Sequence, residues 1–228
     1  MLMRKSEPIQ WVFRVLIYVL GLFFMAIGVA ISVNASLGIS PVNSLPYVIS
    51  RISGFALSSC VIGVFTVYII AQIVLLRKEF KWINLTQLIF STIFGYFVDF
   101  AKWLLADFYI PTYAGRLVML AISIVVVSVG VELYLEVELV PMPMEGMTLA
   151  LAQVLKKPFP SVKIAVDCTV VLLGLALSLV FLRQLDGVRE GTIIAAVVTG
   201  KIIALVKKPL SPLVRKVCFG GVPAEADQ

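Results

Sequence analysis

Residues 28–45 read GVAISVNASLGISPVNSL, and residues 130–147 read GVELYLEVELVPMPMEGM. A shift of 102 residues places Gly28 on Gly130 and Pro41 on Pro143. In each copy an apolar run leads into a proline-containing break, and a short apolar segment follows. We interpret the two copies as an internal duplication, around which the rest of the chain is arranged.

The composition is that of a membrane protein. The 228 residues are 61% hydrophobic and 14% charged, with a mean hydropathy of +1.05. Apolar runs that can cross a bilayer core of about 30 Å need about 20 helical residues. Such runs cover residues 12–34, 57–76, 84–105, 116–138, 162–182 and 191–206. Because the runs are continuous rather than alternating, they predict helices and not the strands of a membrane barrel.

The predicted fold is an all-α membrane protein with six transmembrane helices in two inverted three-helix repeats. The expected boundaries are a cytoplasmic N-terminus at 1–11, a first repeat at 12–106, a linker at 107–115, a second repeat at 116–206 and a cytoplasmic tail at 207–228. A short helix led by proline follows the first span of each repeat, over about 41–52 and 143–155, because proline is favoured at the first helical position. Whether these helices enter the membrane or lie on its surface stays open.

The charge distribution predicts the orientation. The net charge is +6, but the basic residues lie at the ends of the apolar runs, which favours membrane orientation over a nucleic-acid partner. If the N-terminus is cytoplasmic, the inner segments hold Arg4, Lys5, Arg77, Lys78, Lys81, Lys156, Lys157, Lys207, Lys208, Arg215 and Lys216. The outer segments hold only Arg51, Lys102, Arg116, Arg183 and Arg189. This excess predicts that both termini are cytoplasmic. The two proline motifs then face opposite sides.

The sequence lacks the residues or spacings that several kinds of metal, redox and catalytic site require. The chain has no histidine, so a histidine metal site or a Ser-His triad cannot form. Its three cysteines show neither metal-binding nor redox spacing. We therefore predict no catalytic residue, no metal and no cofactor, and we do not expect an enzyme.

Polar residues within the apolar runs are the functional lead, because a carboxylate at membrane depth is costly and marks a pathway or a paired site. The candidate substrate- or ion-binding residues are Asn34, Pro41, Asn43, Glu132, Glu136, Pro143, Glu145 and Asp167. Structural alternatives stay open. Asp167 can pair with Lys163 four residues earlier, and Glu145 can cap its short helix.

Three motifs suggest a family. They are Leu-Gly-Ile-Ser-Pro at 37–41, Pro-Met-Pro-Met-Glu-Gly-Met at 141–147 and Gly-Thr at 191–192. Together they resemble the bacterial YczE/YitT-like integral membrane proteins, which are largely uncharacterised, over most of residues 15–205. The resemblance implies an inner-membrane protein of about six spans, with acidic residues at the positions of Glu145 and Asp167. It does not imply a substrate.

The sequence favours a secondary transporter or channel for a small polar solute, with a site between the two proline motifs near the membrane midplane and coupling to protons or cations. One alternative is the substrate-binding subunit of an energy-coupling-factor vitamin importer, because Ala26 and Ala30 resemble the Ala-xxx-Ala face of such subunits. Another is a membrane scaffold or regulator without a substrate. The expected partners are the lipid bilayer and the solute, and a homodimer stays open.

Overall fold

The computed structural model describes residues 8–106, 108–184 and 187–220, and within these ranges the chain is helical with no strand. The helices are α1 (Pro8–Ala35), α2 (Pro41–Ser53), α3 (Leu57–Leu76), α4 (Gln87–Leu105), α5 (Tyr113–Glu136), α6 (Pro143–Leu155), α7 (Phe159–Leu177) and α8 (Glu190–Phe219). Short 3₁₀ turns, Arg77–Glu79 and Trp82–Thr86, join α3 to α4, and a π-helical turn, Ser178–Leu182, extends α7. Arg4 and Lys5 of the predicted N-terminal segment, Asp107 of the linker and residues 221–228 of the tail lie outside the described residues.

Five helical segments are long and apolar enough to cross a membrane. They are Ile9–Ala35, Leu57–Glu79, Trp82–Leu105, Tyr113–Glu136 and Phe159–Leu182. The chain is therefore a multi-pass helical membrane protein, as the composition predicted. The sixth predicted span corresponds to α8, which is not among the five because Lys201, Lys207 and Lys208 interrupt its apolar run.

α1 and α5 form an antiparallel pair at the centre of the structure. A Cβ added to Gly21 would lie 2.7 Å from the Tyr134 amide nitrogen, and one added to Gly28 would lie 2.8 Å from that of Val127. The residue number of the contacting position in α5 decreases as the residue number in α1 increases, so the two helices run in opposite directions. We call the face where α1 begins proximal and the face where it ends distal.

α4 packs along α1 in the same direction. Ala26 and Ala30 are fully buried and pack in one cluster with Ala101 of α4. The predicted small-residue face of the first span is therefore occupied within this chain, as expected for close packing of small residues between helices. The opposite face of α4 is exposed, with Tyr96 70% and Trp103 73% accessible.

The two short helices begin where the prolines predicted. Pro41 and Pro143 occupy the first turns of α2 and α6, and α6 has the predicted bounds. α2 extends to Ser53 and ends at Gly54, whose φ of 76° is the left-handed conformation of a helix C-cap. α2 packs mainly on α7, and α6 packs mainly on α3.

α6 runs alongside α3 toward the proximal face. Its first turn lies beside α3, because a Cβ on Gly146 would be 2.8 Å from the Gln72 Oε1. Seven residues further along α6, Gln153 Nε2 donates a hydrogen bond to Glu79 Oε2, in the 3₁₀ turn that follows α3. At 1.5 Å per residue, Gly146 therefore lies about 10 Å from Gln153 along the α6 axis, away from the proximal face.

α8 is longer than predicted. The sequence ended the sixth span at 206 and assigned 207–228 to a tail, because prolines usually end helices. In the structure α8 continues through Pro209 and Pro212 to Phe219. The extra turns are held by tertiary contacts, since Val214 and Cys218 are buried in the same core as Tyr18.

Candidate functional site

Three charged side chains meet in the interior between α6 and α7. The Lys163 Nζ lies 2.6 Å from Asp167 Oδ1 and 3.7 Å from Glu145 Oε1. The residues are 3%, 1% and 4% exposed, respectively. We call Glu145, Lys163 and Asp167 the buried triad. The pairing of Lys163 with Asp167 follows the predicted four-residue spacing, and the 3.7 Å contact joins it to the carboxylate of the second proline motif.

Two tyrosine hydroxyls lie near the triad. That of Tyr68 has no hydrogen-bond partner among the described residues, whereas that of Tyr134 interacts with the Glu145 side chain and the Met142 backbone. Tyr134 of α5 is 1% exposed and Tyr68 of α3 is 6% exposed. Both hydroxyls interact electrostatically with Glu145, and that of Tyr68 also interacts with Asp167. A buried hydroxyl without a partner costs free energy, so Tyr68 marks a site whose polar capacity is not fully used.

The start of α6 is held in place by a pair of buried amides. Gln72 and Gln87 exchange hydrogen bonds of 3.0 and 2.9 Å, and Gln72 Nε2 also donates to the Pro143 carbonyl oxygen at 3.1 Å. Gly146 packs against this pair, because any larger residue would place its Cβ within 3.0 Å of both amides. The amide pair therefore fixes the depth and direction of the helix that carries Glu145.

An open cavity of about 310 Å³ lies at the first proline motif, on the distal side. It is lined by the end of α1, the start of α2 and the segment before α8. Its polar lining residues are Ser32, Ser36, Ser40, Asn43, Tyr47 and Arg189. The Arg189 guanidinium is held at the rim by the Ser36 carbonyl oxygen at 3.2 Å and by Glu190 at 3.2 Å. We call this space the distal cavity.

The predicted site residues fall into separate places. Asn43 lines the distal cavity, whereas Glu145 and Asp167 belong to the buried triad. The predicted pair of Asn43 and Glu145 therefore does not share one pocket in this conformation. Asn34 donates hydrogen bonds of 3.1 and 3.0 Å to the Ala106 and Phe108 carbonyl oxygens, which ties α1 to the linker.

The two glutamates near the end of α5 face the extension of α8. Glu136 accepts hydrogen bonds from Arg215 and, at 2.8 Å, from Ser211. Glu132 is 4% exposed, and its Oε1 has no hydrogen-bond partner among the described residues. Its electrostatic neighbours are Glu136, Lys207 and Arg215. These glutamates thus form a second cluster, and Glu136 anchors α8.

Sequence reasoning missed the amide pair and the two tyrosines. Gln72 and Gln87 lie near the ends of apolar runs, where a polar residue is normally hydrated at the membrane surface. Tyr68 and Tyr134 lie within apolar runs, and tyrosine is common on lipid-facing helix surfaces. A possible signal was positional: Tyr68 and Gln72 are four residues apart on one face of α3, which is the face that α6 covers.

Comparison with known proteins shows the family. No curated protein and no solved structure matches the chain. A family model described as a family of unknown function, DUF6198, matches residues 12–208, which include most of α1, all of α2 to α7 and most of α8. The chain therefore belongs to the family DUF6198.

Proposed function

We propose that the chain is a secondary transporter or channel for a small polar solute, with its site at the buried triad. The observation that carries the proposal is the burial of Glu145, Lys163 and Asp167 beside the Tyr68 hydroxyl, which has no hydrogen-bond partner among the described residues. Charges in the interior of a membrane protein are expensive and typically belong to substrate or ion pathways. A purely structural role would be served more cheaply by apolar side chains of similar volume.

The contacts of the two short helices support an inverted repeat. A Cβ on Gly146 would contact Gln72, whereas a Cβ on Gly174 would lie 3.6 Å from the Ser44 carbonyl. A shift of 102 residues relates Ser44 to Gly146 and Gln72 to Gly174. The same shift therefore relates the contact between α2 and α7 to the contact between α6 and α3. Each contact joins a short helix of one copy to a long helix of the other. The antiparallel packing of α1 on α5 has the relationship expected for the first spans of inverted copies.

The same shift relates the distal cavity to a closed region. It places Ser32 on Tyr134, Ser40 on Met142 and Asn43 on Glu145. The first members of these pairs line the distal cavity, and the second members are 1%, 5% and 4% exposed. We take this asymmetry as one state of an alternating cycle, in which the distal half is open and the proximal half is closed around Glu145.

The proposal includes a six-span topology with α8 as the last span, and short helices that enter the membrane from opposite faces. The position of Gly146, about 10 Å along the α6 axis from the contact between Gln153 and Glu79, supports the second part for α6. By the charge distribution the distal cavity then opens to the outside of the cell. The proposal also keeps the expected relationship to the YczE/YitT-like proteins.

A ligand screen tests the proposal. The purified protein in detergent is heated with a library of amines, amino acids, sugars, nucleosides and inorganic ions at two pH values, because a ligand of the folded state raises the melting temperature. A hit is then followed as flux into proteoliposomes, in the wild type and in Glu145→Gln and Asp167→Asn. Glu138→Gln is the matched control, since Glu138 is exposed and lies outside the triad.

We expect a ligand that raises the melting temperature of the wild type and is transported by it. Glu145→Gln and Asp167→Asn should lose both effects, and Glu138→Gln should keep them. Flux that is unchanged in both triad variants would contradict the proposed site. The absence of any hit would favour the scaffold alternative. The vitamin-importer alternative loses its main support, because the Ala26 and Ala30 face is buried against α4.

A further inference from the structure

The buried triad has an unbalanced charge. It contains two carboxylates and one ammonium, so its formal charge is −1 when all three groups are ionised. Salt bridges with Lys163 neutralise only one carboxylate. A closed, dehydrated site with a net charge is strongly destabilised, because water no longer solvates the charge.

Among the described residues, the charged neighbours of Lys163 and Asp167 are the other members of the triad. The elements packed around it contribute Tyr68 from α3 and Tyr134 from α5, with Tyr18 of α1 next to Tyr134 at a ring-centroid distance of 6.0 Å. The neighbouring parts of α2 and α4 contribute Val42, Leu45, Ile49 and Leu88 to the adjacent apolar cluster. Tyrosines are neutral donors and acceptors, so they can bind a charged group but cannot neutralise it.

We propose that the closed triad binds one monovalent cation, which is a proton or an alkali ion. The inference rests on the proposed function and gives the charge and stoichiometry of its coupling ion: one positive charge for each closure of the proximal half. The Tyr68 hydroxyl is suited to this role. A hydroxyl oxygen accepts a hydrogen bond from a protonated carboxyl group or coordinates an alkali ion, and Tyr68, which is 6% exposed, has this capacity unused among the described residues.

The test measures how pH and salt affect unfolding in detergent micelles, for the wild type, Glu145→Gln and Asp167→Asn. Each variant leaves one carboxylate opposite Lys163 and so balances the site without a bound cation. Choline chloride supplies the ionic strength from pH 6 to pH 8, and sodium or potassium chloride replaces it in parallel series. Glu138→Gln serves as the control again.

If the ion is a proton, the folded site keeps a proton that the unfolded chain loses above about pH 4, so stability falls as pH rises. For each unit of pH increase, the unfolding equilibrium constant of the wild type then rises by a factor about ten times larger than that of either variant. If the ion is sodium or potassium, that salt stabilises the wild type at pH 8 and leaves both variants unchanged.

Equal pH and salt dependence in the wild type and both variants would overturn the inference. This failure differs from failure of the proposed function. If both variants lose solute flux but keep the wild-type pH and salt dependence, the site transports without the single bound cation. If the dependence is present and the variants retain flux, the cation site exists but the solute passes elsewhere.

Discussion

Gly130 of α5 and Gly21 of α1 face each other at the centre of the molecule, and a Cβ added to Gly130 would lie 2.7 Å from the Gly21 carbonyl oxygen. It would also lie 2.5 Å from the Met25 amide nitrogen. Both obstacles are backbone atoms, which cannot move aside as the end of a side chain can. α1 and α5 can therefore approach this closely only with glycine at these positions.

Gly130→Ala should destabilise the fold. Separating α1 from α5 would disturb the core around Tyr134 and should cost about 1–3 kcal/mol of unfolding free energy, the usual range for overpacking. The melting temperature in detergent measures the effect. Gly63→Ala is the control, because Gly63 lies within α3 and its Cβ position has no atom within 4 Å. That change should be neutral or stabilise by up to about 1 kcal/mol through helix propensity. Equal effects of the two changes would show that the α1–α5 contact is not tight.

The side-chain amides of Gln72 and Gln87, beside the first turn of α6, should stabilise the fold as a unit. Gln72→Leu leaves the buried Gln87 amide without its partner and also removes the hydrogen bond to the Pro143 carbonyl oxygen. We expect a loss of about 1–3 kcal/mol. The double variant Gln72→Leu and Gln87→Leu should lose less than the sum of the single changes, since it leaves no amide unpaired. Additive losses in this double-mutant cycle would mean that the two amides do not interact.

The sequence predicted the fold better than the site. Hydrophobic run length located five membrane-crossing segments, and proline position located the starts of α2 and α6, because both signals are local. The length of α8 could not be predicted, since Val214 and Cys218 extend it through contacts with distant helices. The triad was predicted only in part. Spacing within α7 paired Lys163 with Asp167, but no local pattern indicated that Glu145 would reach the same lysine.

Removing only the Lys163 ammonium should lower the unfolding free energy more than removing all three charges of the buried triad. Lys163→Met leaves two carboxylates buried without a counter-ion, and we expect a loss of about 3–5 kcal/mol, the usual cost of breaking a buried ion pair. Adding Glu145→Gln and Asp167→Asn to the same chain removes both unpaired charges and should recover most of the loss. Unfolding measured at pH 7 in one detergent compares the two. A triple variant no more stable than Lys163→Met would show that the lysine stabilises the fold through packing rather than charge.

Besides the apolar contacts of Val214 and Cys218, two ion pairs of Arg215 hold the extension of α8. Arg215→Leu removes the partner of the buried Glu136 and also the 3.4 Å contact with Glu138. Because Arg215 is 23% exposed, we expect a moderate loss of about 1–2 kcal/mol, below the range for fully buried pairs. Hydrogen exchange should become faster at residues 207–219 and stay unchanged in α7. Lys216→Leu changes an exposed neighbour and should have little effect. Unchanged exchange in Arg215→Leu would mean that apolar packing alone holds this segment.

Thiol labelling tests which half of the molecule is open. In a chain whose three cysteines are replaced by alanine, Ser40→Cys places a thiol in the distal cavity, and Met142→Cys places one at the related buried position. A membrane-impermeant thiol reagent applied to intact cells should label Ser40→Cys at least about tenfold faster than Met142→Cys, because a buried thiol reacts slowly. With inverted vesicles neither thiol should react quickly unless the proximal half opens. Rapid labelling of Ser40→Cys from the cytoplasmic side alone would reverse the orientation that the basic residues predict. Equal rates at the two positions would show that the related regions are equally accessible, and the one-sided closure around Glu145 would then be wrong.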